Sequence, residues 1–163
     1  MFTNPESPTA VSESLSEHGY LSDAGLTTAV FLAMTMNRPL FLEGDPGVGK
    51  TELAKVLSTW TGGDLIRLQC YEGIDSAQAL YEWDYPKQLL HLRASELLAK
   101  DETAGAAKES ELYSEKFLIR RPLLQALDYQ GAGIPVLLID EIDRADDEFE
   151  AFLLEILSEF SVT

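Results

Sequence analysis

The sequence of 163 residues is poor in cysteine, in histidine and in positive charge. With one cysteine, Cys70, no intrachain disulfide can form and a reducing compartment is the default. Twelve Lys and Arg stand against 28 Asp and Glu, a formal net charge of −16. A general nucleic-acid binder needs a basic face and an anionic membrane repels an acidic one, so no nucleic acid and no membrane is expected as a partner. Long apolar runs are missing as well. The most apolar stretch, residues 25–36, is broken by Thr27, Thr28 and Thr35 and is too short to cross a bilayer. The N-terminus, MFTNPESPTAVSES, has acid and proline where a signal peptide needs a basic start and an apolar core. His18 and His91 are isolated in sequence, and no metal site is expected from them. These absences point to a soluble, acidic, cytoplasmic protein and name no activity.

What is present is ordinary in bulk and specific in detail. Hydrophobic residues make up 45% and charged residues 25%, as in globular proteins generally. The length suits one domain, which at this size buries about 70% of its unfolded surface and needs no disulfide or metal to hold it. No internal repeat is visible. Residues 1–10 read as a loose start and 11–18 as a short helix ending at Gly19. Ser22 is the expected N-cap of a helix carrying Leu26, Ala29, Val30, Ala33 and Met34, stopped at Asn37-Arg38-Pro39. Leu40-Phe41-Leu42 reads as a buried strand, 52–60 as a helix closed by Gly62-Gly63, and 65–70 as an alternating strand. Residues 87–100 and 122–130 have helical character, and 101–110 (DETAGAAKES) reads as a linker or insertion. Val136-Leu137-Leu138-Ile139 has the pattern of a central parallel strand buried on both faces. Asp146 then caps an amphipathic helix with Phe149, Phe152, Leu153, Ile156, Leu157 and Phe160 on one stripe. Strands alternating with helices imply an α/β fold with a mainly parallel sheet.

Two segments carry chemistry. Gly44-Asp45-Pro46-Gly47-Val48-Gly49-Lys50-Thr51 matches G-x-x-x-x-G-K-[ST] at every fixed position. At average composition such a match arises by chance about once in two hundred chains of this length. An apolar run precedes it and a periodic helix, opening with Glu52, follows. Glycines allow the tight wrap, the amides of Gly47 to Thr51 form a nest for phosphate oxygens, and the helix N-terminus adds partial positive charge. Lys50 supplies a full charge for β- and γ-phosphates, and Thr51 a hydroxyl for Mg²⁺. The bland alternative is a glycine-rich turn that binds nothing. The second segment is Asp140-Glu141, directly after the apolar strand. A buried strand ending in two carboxylates has a chemical reason if Asp140 holds Mg²⁺ and Glu141 orients and deprotonates an attacking water. Otherwise the two acids simply solvate the strand end.

On these residues the sequence resembles an AAA+ ATPase. GDPGVGKT resembles Walker A (44–51) and VLLIDE resembles Walker B (136–141). Glu141-Ile142-Asp143-Arg144-Ala145-Asp146 is similar to the MoxR branch. Phe41-Leu42-Glu43-Gly44 and Arg67-Leu68-Gln69-Cys70-Tyr71-Glu72-Gly73 resemble the subgroup linked to carbon monoxide dehydrogenase maturation. The resemblance implies a P-loop αβα sandwich with ATP and Mg²⁺ as ligands and Lys50 and Glu141 as catalytic groups. Gly44 to Glu52 would lie on the nucleotide, and Thr51 and Asp140 on the metal. It also implies a ring, usually a hexamer, a client protein, and often a von Willebrand factor A-domain partner, in chaperone-like remodelling or metalloenzyme maturation. Gly19-Tyr20 sits where an adenine contact is expected, although a helix-ending turn explains it equally.

The resemblance divides the chain into an N-terminal segment, 1–20, and a partial nucleotide-binding domain, 21–163. The family's fourth strand, sensor residues, arginine finger and helical lid have no counterpart here. The sheet order 5-1-4-3-2 then leaves 40–42 and 136–139 flanking a gap or pairing directly, with negligible hydrolysis expected of this piece alone. Two alternatives stand beside the ATPase: another P-loop enzyme such as a kinase, which Glu141 after Asp140 disfavours, and a non-hydrolysing nucleotide-dependent interaction module. Weaker features have bland expectations. Arg144 is expected to pair with Asp143 or Asp147, with a neighbouring subunit or the nucleotide as the alternative; Arg120-Arg121 are expected to be solvated, with an interface as the alternative; and Cys70 is expected to pack. Tyr81, Trp83 and Tyr85 are expected in the core, with a partner surface as the alternative.

Overall fold

The computed structural model describes residues 2–98 and 111–159. The chain runs α1 (Pro8–Glu17), α2 (Ala24–Met36), α3 (Lys50–Thr61), β1 (Gly62–Gln69), α4 (Ser76–Leu80), β2 (Tyr81–Trp83), α5 (Tyr85–Leu98), β3 (Leu118–Arg120), α6 (Pro122–Leu127), β4 (Ile134–Asp140) and α7 (Asp147–Glu159). Single 3-10 turns at Glu115–Phe117 and Ile142–Arg144 precede β3 and α7. This is the expected α/β class: β1 and β4 pair in parallel, and β2 and β3 form a small antiparallel pair. Among the described residues no helix is long and apolar enough to cross a membrane.

Helix ends follow side-chain chemistry. Ser7 caps α1, accepting from the Ala10 amide at 3.2 Å, with Pro8 in the first turn. The helix therefore begins inside the stretch read as a loose start. For α2 the cap is Asp23, not Ser22. Its carboxylate accepts from the Leu26 amide at 2.7 Å, a reach that Ser22, one residue earlier, does not have. Asn37 closes α2 in the left-handed region (φ 50°), where the Arg38 amide returns to the Ala33 carbonyl before Pro39. Asp146 caps α7 as expected, accepting from the Phe149 amide at 2.9 Å. Phe149, Leu153 and Ile156 of α7 are buried. Phe160, and the linker expected at 101–110, lie outside the described residues.

Two apolar cores result. Leu68, Cys70, Ile74, Ala79, Leu123, Phe149, Leu153 and Ile156 pack on one face of the parallel pair. Val11, Leu15, Val30, Leu53 and Val56 join α1, α2 and α3 in the other. In β1 the alternation is as expected: Ile66 and Leu68 are buried while Arg67 and Gln69 are exposed. For β4 the expectation needs correction. Among the described residues it pairs only with β1, so residues 135–140 are half-buried and the strand is not central. Leu40-Phe41-Leu42 is corrected too. It forms no ladder, Leu40 and Leu42 turn toward the α1–α3 core, and Phe41 is 74% exposed. An apolar run specifies burial, but a strand also needs a backbone partner, which the run itself cannot supply.

The β2–β3 pair carries surface aromatics. Tyr81 and Tyr85 are exposed, correcting their placement in the core, and Trp83 meets Tyr81 and Tyr113 edge to face at 6.0 and 5.3 Å. Arg120 and Arg121 are paired, not free: Arg121 with Glu82, and Arg120 with Asp128 and, at 3.8 Å, Glu115. The Arg120 hydrogen bond holds the Asp128 carboxyl below its ordinary range.

The start of the parallel ladder is tightly packed. The Thr61 hydroxyl donates to the Ile134 carbonyl at 2.7 Å. A Cβ on Gly133 would overlap the backbone of Gly62, and one on Gly63 would overlap the Ile134 carbonyl. Gly133 also has φ 75°, so Gly133→Ala combines strain with a clash against backbone that cannot move aside. We expect it to lower stability by about 2 kcal/mol or more in denaturant unfolding. Leu153→Ala, which empties a nearly fully buried site, should cost about 2–5 kcal/mol in the same measurement.

Candidate functional site

The loop 44–51 connects the extended segment after α2 to the first turn of α3. Gly47 and Gly49 adopt φ 87° and 97°, values at which any Cβ is strained. Gly49 is the N-cap of α3 and brings no side chain to cap it. The first bond of the helix is Leu53 N to Gly49 O at 3.0 Å, so among the described residues the amides of Lys50, Thr51 and Glu52 have no protein acceptor. Those open donors carry the positive end of the helix dipole. The Lys50 ammonium folds over the loop and donates to the carbonyls of Gly44 and, at 2.9 Å, Asp45. Thr51 is half-buried, and its hydroxyl makes no hydrogen bond among the described residues. Asp45, Pro46 and Val48 are exposed, and Glu52 points to Lys55 at 2.9 Å. Tyr20 closes over the loop from the α1–α2 turn. Its hydroxyl oxygen lies 3.5 Å from where a Cβ on Gly49 would stand, while Gly19 (φ 80°) makes the turn that brings it there.

The acidic pair closes β4. Asp140 is the last residue of the ladder, opposite Gln69, and its carbonyl accepts from the Cys70 amide at 2.9 Å. Its carboxylate pairs with Arg67 at 2.6 Å. Glu141 is one of two non-glycine residues in the left-handed region among the described ones (φ 55°), which turns the chain sharply off the strand. Its carboxylate pairs with Arg144 Nε at 2.9 Å, so Arg144 does not take Asp143 or Asp147 as expected. Burial raises the pKa of the Cys70 thiol, and the charges of Asp140 and Asp143 push the same way. Cys70 is thus a buried packing residue in an electronegative corner.

Topology turns the two segments in the same direction. α3 reverses into β1 at Gly62, and its C-terminal Thr61 bonds to the first residue of β4. Helix and strands are therefore antiparallel, α3 spanning about 18 Å and the strands about 23–26 Å. The open amides of α3 lie toward the ends of β1 and β4, where Gln69 and Asp140 stand. No hydrogen bond or ion pair joins Lys50 or Thr51 to Asp140 or Glu141 among the described residues; each charge has a partner of its own. Nor does any group of three or more His, Cys, Asp or Glu side chains converge there.

Sequence reasoning missed the arginine partners. Arg144 was open to discovery, because Glu-x-x-Arg across one turn is a familiar ion-pair spacing. Arg67 was not, since it stands 73 residues from Asp140 and only the strand register joins them.

No solved structure matches the chain. The AAA domain (dynein-related subfamily) matches residues 39–162, a span that includes the glycine-rich loop, α3, both parallel strands and the acidic pair. Nucleotide-dependent ATPase activity and assembly into rings are general properties of that family. On a match covering well over half its length, the chain belongs to the AAA domain family, dynein-related subfamily.

Proposed function

We propose that this chain binds ATP with Mg²⁺ and hydrolyses it, as the nucleotide-binding part of a MoxR-type AAA+ machine. The reading is supported by the uncapped N-terminus of α3, over which Lys50 folds, and by the chain reversal at Gly62, which turns that end of the helix toward the end of β4 where Asp140 and Glu141 stand. The donor set fits the ligand. Residues Gly44 to Thr51 supply a backbone cradle, Glu52 extends it by one more open amide, and Lys50 adds the compensating charge. Thr51 and Asp140 would hold Mg²⁺. A hydroxyl and one carboxylate are too few for a free ion but suit one that is also bound by phosphate oxygens. When bound, the ion neutralises charge on the β- and γ-phosphates.

The chain's own residues do the rest. Lys50 gives up the carbonyls of Gly44 and Asp45 for phosphate oxygens. Glu141 leaves Arg144 and accepts a proton from the water that attacks the γ-phosphorus, and the bond to the β-γ bridging oxygen breaks. Tyr20, held against Gly49, is proposed to contact the adenine, with Gly19 shaping its turn. The resemblance of residues 41–44, 67–73 and 141–146 to MoxR proteins supports the finer reading. In it the protein forms a hexameric ring in the cytoplasm, remodels a client or matures a metalloenzyme, and works with a von Willebrand factor A-domain partner.

Two substitutions test this proposal. Lys50→Ala should weaken binding of a fluorescent ATP analogue by about tenfold to hundredfold or more, since it removes a charged donor. Glu141→Gln should leave that binding intact and lower phosphate release in the assembled protein by about 10²- to 10⁴-fold, the range of a general base. Unchanged nucleotide binding in Lys50→Ala would remove the site.

A further inference from the structure

Arg67 has no part in the mechanism above, yet it is the closest charged neighbour of the proposed metal carboxylate. The parallel register pairs Arg67 with Leu138 and Gln69 with Asp140. Arg67, Gln69 and Asp140 thus share one face at the end of the ladder, opposite the face of Ile66, Leu68 and Cys70. One guanidinium nitrogen of Arg67 donates to Asp140 Oδ2 at 2.6 Å and to Gln69 Oε1 at 2.9 Å. The first is in the short range of charge-assisted bonds, and the second steadies the guanidinium over the carboxylate. Among the described residues Arg67 is the one cation paired with Asp140, and Asp140 the one acid paired with Arg67. The pair is asymmetric in exposure: the Asp140 side chain is 27% accessible and that of Arg67 54%. Arg67 also lines an open groove with Arg120, Asp128 and Tyr129. It can leave Asp140 for solvent without disturbing either core.

We propose that Arg67 is a built-in competitor for divalent cation at Asp140, neutralising the carboxylate when no cation is there and swinging into the groove when a Mg²⁺–nucleotide engages. The proposal rests on the reading of Asp140 as the metal-holding carboxylate. Arg67 acts through Asp140 and is a positioning residue. It sets the Mg²⁺ concentration at which the site closes on its nucleotide and has no effect on metal-free binding.

The test is a Mg²⁺ titration of fluorescent ATP-analogue binding to the full chain, beside the same binding in EDTA, for the wild type, Arg67→Gln, Arg67→Lys and Asp140→Asn. Arg67→Gln should lower the half-saturating Mg²⁺ concentration by about threefold to tenfold, the scale of a partly exposed ion pair, and leave affinity in EDTA unchanged. Arg67→Lys, which keeps the charge but not the planar fork, should shift it in the same direction by less. That variant decides the matter if thermal melting shows Arg67→Gln to be unfolded. If Asp140→Asn loses the Mg²⁺ dependence while the Arg67 variants match the wild type or need more Mg²⁺, Arg67 is not a competitor and only this inference falls. If Asp140→Asn retains the wild-type Mg²⁺ dependence, Asp140 is not the metal carboxylate and both readings fall.

Discussion

The parallel ladder between β1 and β4 is the constraint from which the site follows. Its beginning is locked where Gly63 and Gly133 let two backbones approach and the Thr61 hydroxyl ties the end of α3 to Ile134. α3 reverses directly into β1, so the ladder's direction decides which end of the helix is turned toward the end of the strands. The helix end turned that way carries the open amides of Lys50, Thr51 and Glu52, and β4 ends at Asp140, followed by Glu141, with no hydrogen bond or ion pair joining the two sets among the described residues. An antiparallel pairing of the same two strands would carry the acids to the other end of the sheet.

Three of the charges at this end each have a partner. Lys50 is satisfied by loop carbonyls, Asp140 by Arg67 and Glu141 by Arg144. In a protein of net charge −16, unpaired carboxylates here would repel one another and raise the cost of the left-handed turn at Glu141. That conformation costs about 1–2 kcal/mol for a side-chain-bearing residue, and the Arg144 pair offsets part of it. Such pairs are exchangeable. Each involves a side chain with substantial exposure, so a more highly charged ligand can replace a partner without unpacking the core.

Much of the fold was legible because its causes are local. The helix after the loop follows from the spacing of Leu53, Val56 and Leu57, α7 from its apolar stripe and the Asp146 cap, and β1 from the alternation around Arg67. The errors also have local causes. Ser22 and Asp23 are both competent caps, and which one is used depends on a one-residue difference in where the helix starts. The aromatics at 81–85 have the composition of a core but lie on a two-stranded pair with an open face, so Tyr81 and Tyr85 meet solvent. For Leu40-Phe41-Leu42, the apolar character was readable, and neither the exposure of Phe41 nor the absence of a ladder partner was.

The sequence alone determined the chemistry on offer: glycines at the positive-φ positions of a loop, a lysine and a threonine at the head of a helix, and two acids after an apolar strand. Each of these acts within a few residues, where spacing along the chain is nearly spacing in space. Only the tertiary structure decided which charges those groups face. The strand register sets Arg67 against Asp140 across 73 residues, and the left-handed turn at Glu141 hands its carboxylate to Arg144. Register and chain reversal arise from the packing of whole elements, a property that no single stretch of sequence carries.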